Sequence, residues 1–408
     1  MNPRMPNRWL VASGGVLMQI CLGTVYGWSV FTLPLMHAHN WTRSEVTMAF
    51  TVCIGFLGIA AAIGGYILDM RGARVVALTG GILFSIGTFL TGVADQIGSL
   101  PMLYLSYGVV GGIGTGFGYI TPIATLVKWF PDKRGLITGV AVMGFGIGAS
   151  IMTYFSPILI AAFGTSTTLF IFSGIFLICL LWGGSMMVEP PLGSSSTTVK
   201  FSSGMTLGEA FSSKYFYLLW LMLFINIAAG IALISQASPM IQELLPASLA
   251  MDEKAKQAGA ILGIFAILNG IGRLGWAAVS DKIGRRTVFF ILIASQAVIF
   301  YYISVARSLE VFIIACCMIY ACYGGGFATM PAYAADIFGT KYVGRIYGWM
   351  LTAWSAAGVV GPMLFSSIRE SSGNYYQAMY VASAALLIAI ILPLLAAPPK
   401  AGKGTHKA

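Results

Sequence analysis

The sequence predicts an all-α membrane protein with twelve spanning helices in two six-helix halves. Only 9% of its 408 residues are charged and 58% are hydrophobic, whereas soluble domains carry about 25% charged residues. Apolar runs of about 20 residues recur along the chain, which is the length of helix that crosses a bilayer; a membrane barrel needs shorter, alternating segments. Short sequence patterns also recur between the first and the second half of the chain.

Twelve apolar runs define the predicted helices, and a polar stretch divides them into two sets. The predicted spans are 9–36, 45–68, 75–94, 99–127, 135–163, 166–188, 215–245, 257–280, 286–306, 309–335, 344–367 and 375–398. The first run is longer than the 7–15 apolar residues of a signal peptide, so we predict an uncleaved helix. Residues 189–214 are rich in Ser, Gly and Pro, which is typical of a linker. We therefore predict an N-terminal half at 1–188, a cytoplasmic linker at 189–214, and a C-terminal half at 215–408 that ends in a short basic tail.

The distribution of Lys and Arg predicts the orientation in the membrane. If the N-terminus lies in the cytoplasm, 17 basic residues fall on the cytoplasmic side and 5 on the other side. Because cytoplasmic loops carry the excess of Lys and Arg, we expect a multi-pass protein of the cell (inner) membrane with both termini in the cytoplasm. The net charge of +10 comes from segment ends and not from one patch, so it does not indicate nucleic acid as a partner.

Arg273 is the one basic residue of the 23 that lies neither in a loop nor at the end of a predicted span. An Arg at the centre of a membrane helix costs roughly 2.5–3.5 kcal/mol on insertion scales. All thirteen acidic residues lie in loops or at helix ends, and a buried charge without a partner is costly. We therefore expect a bound anion to neutralise Arg273, with Asn269 on the same helical face. The alternative is that Arg273 extends to the membrane surface beside Asp281.

Two repeated patterns relate the halves. Asp, Gly three residues later and Arg five residues later recur 212 residues apart, in Asp69-Met-Arg71-Gly72-Ala-Arg74 and Asp281-Lys-Ile-Gly284-Arg285-Arg286. A Pro followed by a Gly-x-x-x-Gly motif recurs 209 residues apart, at Pro122 and Pro331. Two parallel halves of this kind are typical of transporters whose substrate binds at the interface near the middle of the membrane.

The first of these loops resembles the signature loop of the major facilitator superfamily. The matching pattern is Gly65-x-x-x-Asp69-x-Arg71-Gly72-x-Arg74, and Asp281 and Arg285 lie in a degenerate copy. The resemblance implies the major facilitator fold and a loop that acts as a gate latch, in which the Asp meets the end of a neighbouring helix. The resemblance therefore implies a gating role for five residues: Asp69, Arg71, Arg74, Asp281 and Arg285. Helix capping with lipid headgroup contact is compatible with the same residues.

A closer resemblance is to the oxalate:formate antiporter and monocarboxylate transporter families. It rests on Trp129-Phe-Pro-Asp-Lys-Arg-Gly-Leu136, Val279-Ser-Asp-Lys-Ile-Gly-Arg285 and Asp336-Ile-Phe-Gly-Thr340. In both families an Arg in the eighth helix binds the substrate carboxylate, and Arg273 falls on that position. The spacing of Asn269 and Arg273 also matches the antiporter.

Two departures from these families bear on the substrate and on coupling. The antiporter has a Lys in the eleventh helix for a second carboxylate, and Trp354 stands there in this chain. One cation matches one carboxylate, so we expect a monocarboxylate such as lactate or pyruvate and not oxalate. Animal monocarboxylate transporters have an Asp where this chain has Asn269, and a Lys in the first helix, where this chain has no Lys after Arg8. Their route of proton coupling is therefore not supported here.

Aromatic residues in five helices are further candidates for the site. Tyr119 aligns with a substrate-site Tyr of the antiporter, and the segment with Tyr26 and Trp28 resembles an antiporter segment in the first helix. With Trp354, these side chains are predicted to form an apolar wall beside the carboxylate; the further members are Phe145, Tyr323 and Phe327, the last two next to a predicted helix break at Gly324–Gly326. Each of them, taken singly, is also compatible with packing or with anchoring at the membrane interface.

Other chemistry is not indicated by the sequence. A nucleotide-binding Gly-Lys-Ser/Thr motif and a nucleophile–base–acid set are both missing, so we predict no enzyme, cofactor or metal. The six cysteines lie within apolar runs and their spacing fits neither disulfides nor zinc. His37 and His39 are predicted to be solvated loop residues.

The sequence therefore predicts a secondary active transporter that acts as a monomer. It is expected to move a small monocarboxylate together with a proton by alternating access. The alternative is a carboxylate exchanger of the oxalate/formate type. A channel is disfavoured because no pore ring or filter repeat is present, and a sensor because no loop is long enough for an output module.

Overall fold

The structure is a computed structural model that describes residues 7–190, 204–305 and 308–396. Twelve helices within these ranges are long and apolar enough to cross a membrane, which confirms the predicted number of spans. Residues 191–203 of the predicted linker and the basic tail after residue 396 lie outside the described residues. The domain boundaries at 188 and 214 therefore remain predictions.

Eight of the spans are uninterrupted helices. They are α2 Arg43–Arg71, α3 Ala73–Ile97, α5 Arg134–Phe163, α6 Thr165–Ser185, α7 Lys214–Leu244, α8 Met251–Ile283, α9 Arg285–Val305 and α10 Leu309–Phe338. The predicted bounds differ from these by a few residues, and α8 also includes six residues before its predicted start at 257. Such shifts are expected because helix ends depend on capping and not on the apolar pattern.

The other four spans are interrupted. They are α1 (Arg8–Gly23, a 3₁₀ turn Thr24–Gly27, and Ser29–His39), α4 (Leu100–Leu103, a π-helical stretch Tyr104–Gly111, and Gly112–Trp129), α11 (Val343–Met350 and Thr352–Ser372) and α12 (Tyr376–Ala389 and Ile391–Leu395). The hydrophobic pattern did not reveal these interruptions, since 3₁₀ and π turns leave an apolar run apolar. Short departures of this type are frequent at functional sites.

The predicted break in the tenth helix is wrong. Residues Leu309–Phe338 form one continuous helix through Gly324, Gly325 and Gly326. The three glycines instead allow close packing, because a side chain at Gly325 would overlap Trp276 and one at Gly326 would overlap Asn226. A run of Gly lowers helix propensity by about 1 kcal/mol per residue, but close packing with neighbouring helices is favoured in membranes.

The end of the linker is structured, which the sequence did not suggest. Residues Leu207–Ser212 form a short helix with a capping box, in which the Thr206 amide donates to the Glu209 carboxylate at 2.6 Å. These hydrogen bonds lower the pKa of Glu209. The Met205 amide donates to the Phe338 carbonyl at 2.8 Å, so the linker returns to the end of α10 before α7 begins.

Two helix pairs form the main contacts between the six-helix halves. Helix α5 packs on α8, and α2 packs on α11, while α10 also contacts α5 and α4. The α5–α8 contact brings Gly146 close to Gly270. These pairings place the middle of α8, with Arg273, against the opposite half of the protein.

Candidate substrate-binding site

Arg273 lies in the centre of the protein and not at its surface. Its side chain is 1% exposed, which rules out the alternative that it extends to the membrane surface. Nε donates to Oδ1 of Asn269 at 2.9 Å, and Nη1 donates to the carbonyl of Val142 on α5 at 3.3 Å. The guanidinium is therefore held between the two halves of the protein.

Asn269 orients Arg273, and its predicted direct contact with substrate stays a prediction. The amide Nδ2 donates to the carbonyl of Tyr320 on α10 at 3.2 Å. This leaves Oδ1 to accept from the guanidinium, since an amide donates only through its nitrogen. Close packing makes the arrangement possible, because Gly272 and Gly324 bring the backbones of α8 and α10 together.

No carboxylate in the described part of the chain pairs with Arg273. Its hydrogen bonds to described residues come from Nε and Nη1 and go to neutral oxygens. Neutral acceptors solvate a cation but do not cancel its charge, and an unpaired charge away from water is costly. A bound anion is the group that the electrostatics of this position favours.

Aromatic side chains surround the guanidinium on one side. We call them the aromatic cluster: Tyr26, Tyr119, Phe145, Tyr323, Phe327 and Trp354. Successive ring centroids are close: Tyr26–Phe145 at 5.0 Å, Tyr119–Trp354 at 5.3 Å, Phe327–Trp354 at 4.8 Å and Tyr323–Phe327 at 5.3 Å. The guanidinium carbon lies 5.4 Å from the Phe327 ring and 5.9 Å from the Phe145 ring, within the range of cation–π attraction.

The cluster connects the two halves. Tyr26 lies in the 3₁₀ turn of α1, and its hydroxyl is 3.4 Å from the hydroxyl of Tyr323 on α10. Trp354 on α11 contacts both Tyr119 on α4 and Phe145 on α5. A ligand in this cluster would touch both halves, which is the arrangement that alternating access requires.

Trp28 is not in the aromatic cluster, although the sequence proposed it for the site. Its ring stacks on Tyr107 with centroids 3.9 Å apart, and its Nε1 donates to the Val46 carbonyl at 3.2 Å. Because the 3₁₀ turn ends at Gly27, the side chains of Tyr26 and Trp28 point to different sides of α1. Trp28 therefore packs α1 against α2 and α4.

Sequence reasoning missed Tyr347, which belongs beside the cluster. Tyr347 on α11 is buried, and its hydroxyl lies close to that of Tyr119 but not in hydrogen-bond geometry. The signal was available, since Tyr347 precedes Trp354 by seven residues and two helical turns place both on one face.

Two buried amides hold the tyrosines of the cluster and were also missed. Nε2 of Gln19 on α1 donates to the Tyr119 carbonyl at 3.1 Å. Nδ2 of Asn226 on α7 lies 3.5 Å from the Tyr323 carbonyl and its Oδ1 accepts from Gln296 at 2.8 Å. Each half thus fixes one site tyrosine by an amide from its own first helix.

The loop residues of the two halves meet at one end of the bundle. We call this end the Asp69 face; it is formed by Asp69, Arg134, Asp281, Arg285, Asp336 and Arg345. Asp69 accepts from the backbone amide of Arg345, near the start of α11, at 3.3 Å, with Nε of Arg345 at 3.5 Å. Asp281 accepts from the amides of Gly135 and Leu136, at the start of α5, at 3.0 and 2.8 Å. Each Asp therefore caps a helix of the other half, as the resemblance implied.

The cations of the Asp69 face differ in part from those predicted. Arg285 lies 2.5 Å from Asp281 and 3.1 Å from Asp336, and Arg134 lies 2.9 Å from Asp336. Arg71 and Arg74 are exposed and form no ion pair with a described residue. The cation that meets Asp69 is Arg345, which the loop pattern could not reveal because it lies 276 positions away.

His39 is not a solvated loop residue, which corrects that prediction. It ends the last helical segment of α1, and its Nε2 lies 2.8 Å from Oδ1 of Asp95 at the end of α3. The hydroxyl of Ser166 at the start of α6 donates to Oδ2 of Asp95 at 2.5 Å. His37 is exposed, as predicted, but it lies within the same helical segment and not in a loop.

All six cysteines are free. Within the described residues no group of three His, Cys, Asp or Glu side chains could hold a metal ion. The chemistry of the centre is therefore that of one cation, aromatic faces and hydroxyl groups.

Comparison with known proteins identifies the family. The model of the Major Facilitator Superfamily matches residues 15–252 and 237–408. The chain belongs to this superfamily. A solved structure of the E. coli fucose:proton symporter FucP (N162A) superposes with a TM-score of 0.74 at 14% identity, over 97% of this chain and 100% of that one. It confirms the all-α fold with two six-helix halves.

Curated relatives are similar over most of their length. An uncharacterized MFS-type transporter, YhjX of Escherichia coli, is 29% identical over 84% of this chain and 83% of its own. The oxalate:formate antiporter of Oxalobacter formigenes is 27% identical over 90% and 86%. Monocarboxylate transporter 12 of Xenopus laevis is 24% identical over 94% and 87%. The protein is thus an integral membrane transporter of this superfamily.

Proposed function

We propose that the protein is a secondary active transporter of small monocarboxylates of the lactate and pyruvate type. The observation that carries the proposal is Arg273, a fully buried cation between the halves without a carboxylate partner in the described residues. A substrate carboxylate supplies the missing charge. Guanidinium and carboxylate match in geometry as well as in charge.

The single positive charge of the site, on Arg273, favours a substrate with one carboxylate. Where the antiporter family has a Lys in the eleventh helix, this chain has Trp354, which packs on Phe327 at 4.8 Å. A second carboxylate would lie among aromatic rings without a cation, where the low dielectric strengthens its repulsion from the first. The aromatic cluster instead fits the short apolar end of a small acid.

Proton symport accounts for uptake against the membrane potential. Moving a bare anion against an inside-negative potential costs about 2.3 kcal/mol per 100 mV, and a proton that travels with the acid removes this cost. Because the aromatic cluster contains no carboxylate, the proton would travel on the substrate or on the hydroxyls around it.

Alternating access would move the halves around this site. In the inner membrane, the Asp69 face would lie on the cytoplasmic side, where the sequence predicts most of the Lys and Arg residues. Its helix caps and ion pairs would hold that side shut while the opposite side is open. The transporter is expected to work as a monomer, with the N-terminal half at 1–188 and the C-terminal half at 215–408.

Carboxylate exchange of the oxalate/formate type is the second candidate. The similarity to the oxalate:formate antiporter over 90% of the chain favours it. So does the lack of an ion pair between Arg273 and a carboxylate among the described residues, because an exchanger needs no proton carrier.

Transport into proteoliposomes tests these alternatives. Labelled lactate is expected to accumulate when the outside is acidic, and the variant Arg273→Ala should lose accumulation. Arg369→Ala is the matched control, since it removes an arginine from a surface pair with Glu243. Unchanged uptake by Arg273→Ala would refute the site. Uptake that needs internal carboxylate and ignores a pH gradient would favour the exchanger, and strong competition by oxalate would contradict the charge argument.

A further inference from the structure

Hydrogen-bond donors accumulate in the aromatic cluster without acceptors. Three buried polar atoms in and beside it have no hydrogen-bond partner among the described residues: Oη of Tyr119, Oη of Tyr347 and Nε1 of Trp354. Tyr119 and Trp354 have ring centroids 5.3 Å apart, and the hydroxyls of Tyr119 and Tyr347 lie close together. Unpaired buried polar groups are rare in folded proteins, and each costs about 1–3 kcal/mol.

Rearrangement within the protein cannot satisfy all of these groups. A small rotation would let one tyrosine hydroxyl donate to the other, but that pair would still have one free O–H donor. The indole N–H of Trp354 can only donate, and each tyrosine hydroxyl brings a proton of its own together with its acceptor oxygen. Arg273 adds Nη2, which makes no hydrogen bond to a described residue. The cluster therefore has more donors than acceptors.

This excess of hydrogen-bond donors indicates which acceptor atoms the ligand carries, in addition to its negative charge. The carboxylate takes the protons of Arg273 and of one tyrosine. An unsubstituted short acid offers no further acceptor, because its remaining atoms are C–H groups, so the Trp354 N–H would have to share the two carboxylate oxygens with Arg273 and the tyrosines. An acid with an oxygen on the carbon next to the carboxylate offers a further acceptor at a distance of two bonds from the charge.

We propose that the site selects 2-oxo monocarboxylates, whose carbonyl oxygen accepts from Trp354 Nε1 and from the hydroxyl of Tyr347. A 2-oxo acid contributes three acceptor oxygens and no donor. A 2-hydroxy acid brings an additional O–H proton that must find an acceptor among groups that are themselves mostly donors. This inference rests on the proposed binding of a carboxylate to Arg273.

The selectivity follows from the cost of an unpaired donor. Sites built to hydrogen-bond a substrate reject analogues that lack the matching group, since the buried partner then stays unpaired. For one neutral hydrogen bond the expected factor is about tenfold in affinity. We therefore expect pyruvate to bind about tenfold more tightly than propionate, with lactate between them.

Binding of pyruvate, lactate and propionate to the purified full-length protein tests this order. Trp354→Phe keeps the ring but removes the N–H, and it should weaken pyruvate about tenfold while propionate changes less than twofold. Tyr347→Phe should act in the same direction. Trp349→Phe is the matched control, because Trp349 is on the same helix but is exposed and contacts Phe211. Trp354→His, which can restore an N–H donor, is expected to recover part of the pyruvate preference.

The outcomes separate the two proposals. If Arg273→Ala abolishes binding of all three acids but Trp354→Phe weakens them by one common factor, the 2-oxo selectivity is wrong and the carboxylate site stands. If lactate or propionate binds to the native protein as tightly as pyruvate does, the 2-oxo selectivity is likewise wrong. If Arg273→Ala leaves all three affinities unchanged, the proposed function itself fails.

Discussion

The arginines at the centre and at the Asp69 face have opposite environments. At the face, Arg285 and Arg134 each contact Asp336 at about the distance of a hydrogen bond, 3.1 and 2.9 Å. At the centre, Arg273 is more deeply buried than either, and its hydrogen bonds to described residues go to neutral oxygens. A cation that is paired within the chain stabilises one arrangement of the halves. A cation that is paired only by a ligand makes the free energy of the closed site depend on whether that ligand is bound.

The two helix-capping Asp residues of the Asp69 face, Asp69 and Asp281, also differ from each other. Asp281 accepts two short backbone hydrogen bonds and contacts Arg285, which is shared with Asp336. Asp69 accepts one longer backbone bond, at 3.3 Å, and its second oxygen has no hydrogen-bond partner in the described part of the chain. The repeated loops thus perform the same capping with unequal strength, and the contact made by the C-terminal half is the firmer one.

The largest effect is expected at the centre. Arg273→Lys keeps the charge but loses the planar guanidinium that contacts Asn269 and Val142. Binding of pyruvate or lactate should weaken roughly 100-fold, since arginine and lysine are not equivalent at sites of this geometry. Isothermal titration of the purified variant measures it, with Arg369→Lys as the control. An affinity within threefold of the native protein would contradict the assignment.

An intermediate effect is expected at the Asp69 face. Asp281→Asn should raise hydrogen exchange at the first turn of α5 by about 10- to 100-fold, because hydrogen bonds to a charged acceptor contribute about 1.5–3 kcal/mol. Asp69→Asn should raise exchange at the start of α11 by a smaller factor. Hydrogen-exchange mass spectrometry compares the two.

The control for this comparison is Asp132→Asn, which removes only an exposed contact with Arg8 at 3.6 Å. It should change exchange little, as expected for surface ion pairs. Equal increases for Asp69→Asn and Asp281→Asn would show that the longer distances around Asp69 have no energetic meaning.

The smallest effect is expected for contacts within one half. His39→Gln weakens the link between α1, α3 and α6 at Asp95, so it should lower thermal stability by about 1 kcal/mol. Transport should stay within twofold, since these helices belong to the same half. Thermal unfolding and uptake are measured side by side, with His37→Gln as the exposed control. A strong loss of transport at unchanged stability would contradict this separation.

Much of the site could be predicted from the sequence because it depends on counting charges. One cation in a span and no acid beside it is a property of the chain that the fold does not alter, and Arg273 is indeed buried without an acidic partner among the described residues. Helical spacing also predicts that Tyr323 and Phe327 lie on one face, and their rings are in contact in the structure.

The failures have a common cause. Trp28 and Tyr26 are two positions apart, and a 3₁₀ turn decides which of them faces the centre. Glycines at 324–326 looked like a break, but close packing against α8 keeps the helix intact. Arg345 and His39 acquired acidic partners from distant parts of the chain. Local patterns do not contain these contacts.

The sequence by itself determined the twelve spans, the two halves and the single cation within the membrane. Length, apolar composition and charge are local properties of the chain, and they decide the free energy of inserting each segment into a bilayer. Only the tertiary structure decided which residues complete the site. The contacts of Tyr347, Gln19 and Asn226, and the caps between Asp69, Asp281 and the opposite half, join residues up to 276 positions apart. Such contacts arise from how helices pack, and they depend on backbone irregularities that leave no trace in an apolar run.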